Sequence, residues 1–353
     1  MSIIFAILLF SFLIFIHEFG HFIAAKLSGV QVNEFSMFMG PAIFKKQAGE
    51  TLYTIRCIPI GGYCAMEGED EDTDNPRSFQ KASWWKRLAI LVAGAAMNFL
   101  AGLLLFLIVY APARQFTAPV IDFFEAGCVL HSEEGLQVGD RILEVDGEKV
   151  HVSSDFSLIL TLNPGDTHDL VVKRDGRKVY LDDFYMPRAE FPNPDGSTSL
   201  RYGFNFSLVE ATPGEKLSYV WNSALSNVQM VKLSIGMLLS GQAGLKDMGG
   251  PVMIVDQMNQ VAAASPTVLD AVLNMLYFGG FLAINLAVMN LLPIPALDGG
   301  RAVCLLITTA VEAVTKKKLN PKYEGYLHAA GMVLLLGLMA VIMFKDIFVI
   351  FKR

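Results

Sequence analysis

The chain has 353 residues, of which 53% are hydrophobic and 18% are charged, and its mean hydropathy is +0.44. Soluble proteins carry about 25% charged residues, so this composition indicates a membrane protein with some soluble mass. A net charge of −6 leaves no basic surface for phosphate backbones. We therefore expect no nucleic-acid partner, and we expect the partners to be proteins and the lipid bilayer.

Four apolar stretches are long enough to cross the hydrocarbon core of a bilayer, which takes about 20 helical residues. They lie at residues 3–25, 88–110, 271–292 and 327–344. The first has no positively charged start and no small-residue cleavage site, so we interpret it as a retained helix rather than a signal peptide. The predicted fold class is an α-helical polytopic membrane protein with about four transmembrane helices.

The first stretch contains the sequence HEFGH, with His17, Glu18 and His21. Ionisable groups at membrane depth cost at least ~2.5 kcal/mol each, so they usually have a partner or a function there. His17 and His21 are four residues apart and lie on one helix face, where two imidazoles can bind one tetrahedral zinc. Glu18 points about 100° away, within reach of a zinc-bound water, so this HExxH pattern predicts metal-assisted hydrolysis.

The loop between the first two stretches alternates polar and apolar residues over 50–66, with Pro59, Gly61 and Gly62 as turn formers. We interpret this segment as a β-hairpin. The acidic run that follows, at 67–74, is predicted to be a solvated loop.

Basic residues border the hairpin loop and the start of the fourth stretch, whereas residues 112–215 are rich in acids. The basic residues are Lys26, Lys86, Arg87, Lys316, Lys317 and Lys318. By the positive-inside rule, the hairpin loop and the lysine cluster are predicted to be cytoplasmic, and the acidic region extracytoplasmic. The HEFGH site is then expected in the membrane, toward the cytoplasmic side.

Residues 115–190 have the short strands and Asp-Gly turns of a small β-rich domain, with one helical segment, DFSLILTLN. The segment EAGCVLHSEEGLQVGDRILEVDGEKV resembles the PDZ family, in which a buried Gly-Asp-x-Ile-Leu strand precedes an Asp-Gly turn. PDZ domains bind extended peptides at a sheet edge and often capture a C-terminal carboxylate, so the resemblance implies peptide C-termini as partners. A purely structural spacer domain is the alternative.

Residues 217–240 have apolar residues at helical spacing interrupted by polar ones, which suits an interfacial amphipathic helix better than a fifth span. Four domains are predicted from these patterns. They are an N-terminal membrane part at 1–111, a PDZ-like extracytoplasmic domain at 112–215, an amphipathic linker at 216–268 and a C-terminal membrane part at 269–353.

A catalytic zinc needs three protein ligands and one open position. The segment NLLPIPALDGGR, at residues 290–301, offers Asp298 as the favoured third ligand. Pro293 and Pro295 prevent a continuous helix, and irregular backbone at membrane depth occurs where it lines protein or a cavity. The two glycines after Asp298 allow close approach of the backbone. The competing third ligands are His328, which we otherwise interpret as an interfacial histidine, Glu67 and Glu69.

Together the two motifs resemble the site-2 protease family of intramembrane zinc metalloproteases, specifically its bacterial branch with a PDZ domain. The similarity extends to PIGGYCAMEGE in the loop, AGAAMNF in the second stretch, and GGPVMIV. It implies Zn²⁺ held by His17, His21 and Asp298, with Glu18 as the base. It also implies that Asn290 helps substrate handling or the reaction.

The resemblance further implies that the hairpin around Gly61 and Gly62 re-enters the membrane and pairs with an unwound substrate helix. We assign Pro293 and Pro295 to substrate handling as well. The chain departs from the family at Ala95, where proline is common, and we interpret the nearby Asn98 as a helix-packing residue.

The predicted function is cleavage of transmembrane segments in single-span membrane proteins, such as anti-sigma factors or signal-peptide remnants, in the bacterial cell membrane. Two alternatives stay open. A transporter would also have broken helices with Asp and Asn near the midplane, although no internal repeat is evident. A catalytically inactive scaffold that binds peptides through its PDZ domain would not need Glu18.

Overall fold

Four helices of the computed structural model are long and apolar enough to cross a membrane, namely Phe5–Ser28, Trp84–Tyr110, Val268–Asn290 and Glu324–Val349. The structure describes residues 2–69, 73–193, 195–244, 247–316 and 321–351. The predicted set of four membrane helices is therefore confirmed. Each predicted stretch is shorter than its helix, most clearly the second and the fourth, because hydropathy detects only the apolar part and the helices continue through charged residues such as Lys86 and Lys345.

The described residues contain eight α-helices. They are α1 Ser2–Ser28, α2 Trp84–Tyr110, α3 Ser153–Leu162, α4 Pro213–Leu239, α5 Pro251–Ala264, α6 Val268–Asn290, α7 Asp298–Thr315 and α8 Pro321–Phe351. The segment predicted to be an amphipathic helix is α4, and it is not among the four candidate spans. Two lysines of the predicted cytoplasmic cluster, Lys317 and Lys318, lie outside the described residues.

The chain divides into two units, which are described separately. The membrane unit comprises Met1–Val109 and Met230–Arg353, and the β-rich unit comprises Tyr110–Gln229.

Helices α1, α2 and α6 of the membrane unit approach one another closely because glycines stand at their contacts. A Cβ atom on Gly20 of α1 would lie 2.4 Å from the carbonyl oxygen of Ala93 in α2. A Cβ atom on Gly102 of α2 would lie 2.6 Å from Cγ1 of Ile284 in α6. Small residues at such contacts let helix backbones approach within a membrane. This close crossing brings α2 against the part of α1 that carries the two histidines.

The hairpin of the membrane unit is larger than predicted and has a further turn outside the predicted segment. Its strands are β1 Val32–Ala48 and β2 Thr51–Met66, and the turn between them is at Gly49, which has a φ of 61°. The chain also reverses within β2, because 52–55 runs in the same direction as its partners 34–37 whereas 62–65 runs opposite to them. The predicted turn formers Pro59, Gly61 and Gly62 lie at this reversal, but 52–55 and 62–65 pair with the β1 segment between them and not with each other.

The N-terminal part of β1 has two sets of strand partners. Residues 34–37 pair with 52–55 and also with 62–65. Register shifts in β1 and β2 let the long hairpin fold over in this way. As a result, 62–65 has one edge paired with β1, and no other described strand pairs with its opposite edge.

The β-rich unit contains a sheet of short strands around one helix. The strands are β3 Gln115–Phe124, β4 Arg141–Val145, β5 Glu148–Lys149, β6 Thr167–Arg174, β7 Arg177–Tyr185, β8 Ala189–Pro192, β9 Thr198–Arg201 and β10 Phe204–Glu210. The main sheet has the order β10-β3-β4-β6-β7, with β5 beside β4, and β8 pairs with β9. The buried core includes Ile142 of the predicted Gly-Asp-x-Ile-Leu strand and Phe156 of α3.

Both predicted Asp-Gly turns of this unit have the expected backbone. Asp146 and Gly147 connect β4 to β5 with φ values of 50° and 77°. Asp175 and Gly176 connect β6 to β7 with φ values of 49° and 81°. Asparagine, aspartate and glycine tolerate this left-handed region best, which is why these dipeptides mark tight hairpins.

Candidate metal centre

Three side chains from distant parts of the sequence converge on one point in the membrane unit. Nε2 of His17 lies 3.0 Å from Oδ2 of Asp298, and Nε2 of His21 lies 3.3 Å from the same oxygen. The two Nε2 atoms are 3.2 Å apart. Two ligands at about 2.1 Å from a tetrahedral zinc lie about 3.4 Å from each other. Two imidazole nitrogens and one carboxylate oxygen at these separations therefore fit a zinc ion with one position left open.

The helix α1 supplies both histidines from one face because they are four residues apart. Nδ1 of His21 donates a hydrogen bond of 2.8 Å to the carbonyl oxygen of Ile90 in α2. With its proton on Nδ1, the neutral His21 ring keeps the lone pair of Nε2 for a metal. Nδ1 of His17 has two asparagine amides near it, Asn98 at 3.4 Å and Asn290 at 3.5 Å.

Asp298 reaches the histidines because the chain between α6 and α7 is irregular. The helix α6 ends at Asn290, and Asp298 is the first residue of α7. Ala296, between Pro295 and Asp298, has a φ of 79°, a value that is unfavourable for a residue with a side chain. The predicted break at the two prolines is present, and it turns the carboxylate toward α1.

Glycines make this tight loop possible. A Cβ atom on Gly299 would lie 2.3 Å from the backbone of Leu291, and one on Gly300 would lie 2.2 Å from the carbonyl oxygen of Ile294. The distances are shorter than any van der Waals contact, so only glycine fits at both positions. The loop thus folds back onto itself directly before Asp298.

The structure groups Asp298, and none of the three competing residues, with the histidines. Nδ1 of His328 accepts a hydrogen bond of 2.9 Å from the backbone N–H of Ala296. Glu67 accepts a bond of 2.7 Å from the side chain of Asn33, and Glu69 forms an ion pair with Arg301. The acidic run at 67–74 is therefore not a simple solvated loop, because Glu69 is held by a cation of α7. Residues 70–72 of that run lie outside the described residues.

Glu18 faces the hairpin. An ideal Cβ atom built on Gly62 would lie 3.7 Å from Cγ of Glu18, and Gly61 beside it has a φ of 82°. The hydroxyl of Ser11 donates to the carbonyl oxygen of Pro59 at 2.9 Å, which ties β2 to α1. The structure thus brings Gly61, Gly62 and Glu18 together at one side of the metal centre.

A cavity of about 410 Å³ adjoins Asp298 on another side. Its lining includes the charged or titratable residues Glu69, Arg87, Arg301, Glu324 and His328. The centre therefore has a polar approach within an otherwise apolar helical unit. Such an approach is needed for water to take part in hydrolysis inside a membrane protein.

Sequence reasoning missed two residues of α2. Asn98, interpreted from sequence as a helix-packing residue, is 1% exposed and approaches His17. Gly94 has no room for a Cβ atom, which would lie 2.4 Å from Nε2 of His21. The available signal was the four-residue spacing in GAAMN, which equals the spacing of the two histidines in HEFGH.

Comparison with known proteins gives consistent results over nearly the whole chain. The profile of Peptidase family M50 matches residues 5–338. A Clostridium perfringens protein named as a candidate zinc metalloprotease is 36% identical over 352 residues, covering 98% of both chains. The zinc metalloprotease RasP of Bacillus licheniformis is 28% identical over 429 residues, again with 98% of each chain covered. The regulator of sigma-W protease RasP of Bacillus subtilis is 28% identical over 432 residues, with the same coverage.

Proposed function

Because the chain belongs to peptidase family M50 and is a membrane zinc metalloprotease, we propose that it cleaves peptide bonds within the transmembrane segments of single-span membrane proteins. The observation that carries this proposal is the convergence of His17, His21 and Asp298 on one point, with the histidines inside an apolar helix. Charged and titratable groups at that depth cost several kcal/mol unless they bind a partner. A metal ion that acts on a substrate within the bilayer accounts for their presence.

The proposed roles of the residues follow from the geometry. His17, His21 and Asp298 would hold the zinc, which when bound would supply Lewis acidity toward a water molecule and toward the scissile carbonyl. Glu18 accepts the proton that the attacking water loses and passes it to the leaving amine. Asn290, which lies beside His17 at the end of α6, is positioned to bind the substrate backbone. Pro293 and Pro295 keep the chain after Asn290 out of a helix and so hold that position open.

A transmembrane substrate must unwind before its carbonyl groups are accessible, because a helix uses them in internal hydrogen bonds. The edge of residues 62–65 that faces away from β1 offers replacement hydrogen bonds by strand addition. Gly61 and Gly62 bring this edge close to Glu18 without side chains between them. We therefore assign substrate pairing to this edge.

The β-rich unit has the proposed role of a PDZ-like extracytoplasmic domain that selects substrates. The proposed substrates are anti-sigma-factor-like proteins or signal-peptide remnants, and the name of the Bacillus subtilis relative, a regulator of sigma-W protease, supports the first class. In this scheme the domain captures peptide C-termini or excludes substrates with large outer domains. The membership of family M50 removes the support for the transporter and inactive-scaffold alternatives.

The test is replacement of Glu18 by glutamine in the purified full chain. An amide cannot accept the proton, so we expect cleavage to fall by a factor on the order of 10²–10⁴. The zinc content per chain should stay at the wild-type level, since the three ligands are unchanged. Mass spectrometry of membrane fragments that accumulate with the wild-type enzyme and not with Glu18→Gln would identify the substrate and the bond.

The exposed acid Glu215 at the start of α4 provides a control. Glu215→Gln should cleave at the wild-type rate. Full activity in Glu18→Gln would contradict the role given to this residue, and loss of zinc in the same variant would show that Glu18 is a ligand instead.

A further inference from the structure

One face of α2 contacts both histidines of the metal centre. Ile90, Gly94 and Asn98 are four residues apart, so they form a single stripe along the helix. The carbonyl oxygen of Ile90 accepts the Nδ1–H of His21 at 2.8 Å. A Cβ atom on Gly94 would lie 2.4 Å from Nε2 of His21 and 2.8 Å from Cε1 of His17. The stripe thus offers a carbonyl acceptor to the His21 ring at Ile90. One helical turn further along, Gly94 leaves space for both imidazole rings.

Asn98, the third member of the stripe, lies beside Nδ1 of His17, as the carbonyl oxygen of Ile90 lies beside Nδ1 of His21. It is 1% exposed, and its amide nitrogen lies 3.4 Å from Nδ1 of His17. Its amide oxygen Oδ1 is buried and has no hydrogen-bond partner among the described residues. An unpaired buried amide oxygen is destabilising, so it calls for a partner.

The chemistry of the ligand identifies that partner. A neutral imidazole that gives Nε2 to a metal carries its proton on Nδ1, and that N–H needs an acceptor. A half-turn of the Asn98 amide exchanges its nitrogen for Oδ1, which brings the acceptor oxygen to the place next to His17 Nδ1. The buried Oδ1 of Asn98 and the Nδ1–H of His17 then each have a hydrogen-bond partner. An amide nitrogen at that place would instead face another donor.

We propose that Asn98 is a positioning residue of the metal centre, whose Oδ1 accepts the Nδ1–H of His17 and fixes the orientation of that ring. Asn98 acts on His17 as the carbonyl of Ile90 acts on His21. This inference rests on the proposed zinc ligands. Asn290 is the other amide near His17 Nδ1, at 3.5 Å, but it is only partly buried and lies at the end of α6. Asn98 therefore leaves Asn290 available for the substrate.

The test measures zinc affinity of the full chain in detergent by competition with a chelator. Loss of an outer-shell partner of a histidine ligand typically weakens metal binding by about 10–100-fold, and we expect a weakening of this size in Asn98→Leu. Asn98→Asp keeps an acceptor oxygen at the same place and should restore the affinity to within about threefold of wild type. Asn290→Leu should keep zinc affinity while lowering the cleavage rate.

A merely structural role for Asn98 would lower the stability of the metal-free protein and leave zinc affinity unchanged. Asn98→Leu leaves the buried Nδ1–H of His17 without an acceptor, so the metal-free variant should unfold below the wild-type temperature, and metal-free Asn98→Asp should unfold closer to it. The matched control is Asn227→Leu, because Asn227 is also a buried helical asparagine, 4% exposed, and lies in the other unit. Asn227→Leu should leave zinc affinity unchanged.

Two results would overturn the proposal. They are wild-type zinc affinity in Asn98→Leu, and an affinity in Asn98→Asp as weak as in Asn98→Leu. Failure of the ligand assignment itself is distinguishable, because Asp298→Ala would then retain zinc whatever the Asn98 variants do.

Discussion

Polar side chains have different roles in the two units of this molecule. In the β-rich unit they are abundant and many bind nearby groups, as Asp155 does when one of its oxygens accepts the backbone N–H groups of His151 and Val152 before α3. In the membrane helices they are few, and His17 and Asp298 meet although 281 residues separate them. A polar group within hydrocarbon needs a strong partner, whereas one in a water-exposed domain does not. Polar residues in the membrane helices are therefore far more informative about function than polar residues in the β-rich unit.

The largest effect expected from this contrast is the loss of zinc in Asp298→Ala. Removing one of the three proposed ligands should abolish cleavage and lower the zinc content of the purified chain. His328→Ala removes only the acceptor for Ala296 N–H in the preceding loop. We expect it to keep cleavage and to weaken zinc binding by no more than about tenfold.

Zinc measured per purified chain in the two variants distinguishes the roles. Full zinc content in Asp298→Ala combined with its loss in His328→Ala would show that His328 is the ligand. The contrast between polar residues of the two units would then lose its main support, because the irregular chain between α6 and α7 would bring no metal ligand to α1.

A second expected effect concerns the ion pair at the centre of the β-rich unit. Arg174 donates to both carboxylate oxygens of Asp140 at 2.8 and 2.7 Å, and Asp140 is fully buried. Removing one partner of a buried pair leaves an uncompensated charge and costs about 3–5 kcal/mol. Arg174→Met should therefore make this unit much more sensitive to proteolysis in the full chain, while the zinc content stays unchanged.

Arg177 is the matched control, because it is an exposed arginine at the start of the next strand. Arg177→Met should resist proteolysis as wild type does. Loss of zinc in Arg174→Met would contradict the view that polar residues of this unit serve its own fold.

A smaller effect is expected on substrate selection. Deletion of residues 115–190 removes the proposed PDZ-like selector and none of the proposed catalytic residues. Cleavage of a substrate with its outer domain intact should rise relative to a trimmed substrate, by about tenfold if selection contributes about 1.4 kcal/mol. Equal discrimination with and without the deleted segment would rule out a filter in this region.

The parts of the molecule that could be predicted from sequence are those determined locally. The spacing of His17 and His21 places them on one face of any helix, and Asp298 follows two prolines that no continuous helix tolerates. The same holds for the four apolar stretches and for the Asp-Gly turns of the β-rich unit. Each of these features depends on neighbouring residues only.

The parts that could not be predicted depend on packing between distant segments. The hairpin has positive-φ glycines at Gly40, Gly49 and Gly61, and the pairing of 34–37 with both 52–55 and 62–65 could not be derived from these turn signals alone. Likewise the proposed role of Asn98 depends on which face of α2 meets α1. That face is set by the close approach of Gly20 to Ala93, which neither helix sequence specifies alone.

The smallest expected effect tests whether every ionic group of the membrane unit serves the site. Glu50, next to the hairpin turn, accepts hydrogen bonds from Arg77 at 2.5 and 2.9 Å and from Lys26 at 2.6 Å. These bonds, to Arg77 first, lower the pKa of Glu50 to about 2. A lowered pKa means that the ionised form is stabilised by folding, so this contribution is present above about pH 4.3 and is lost as the pH falls toward 2.

Because Glu50 is close to water, the ion pairs are screened and their loss should have little effect at neutral pH. We expect Glu50→Gln to keep its zinc content and to cleave within about twofold of the wild-type rate. The difference in unfolding temperature between Glu50→Gln and wild type should shrink as the pH is lowered from 6 to 3, since Glu50 of the unfolded chain then becomes protonated and the stabilisation of the folded state decreases. A large loss of cleavage at neutral pH would show that the hairpin tip acts on the site after all, and that ionic groups far from the metal in this unit are also functional.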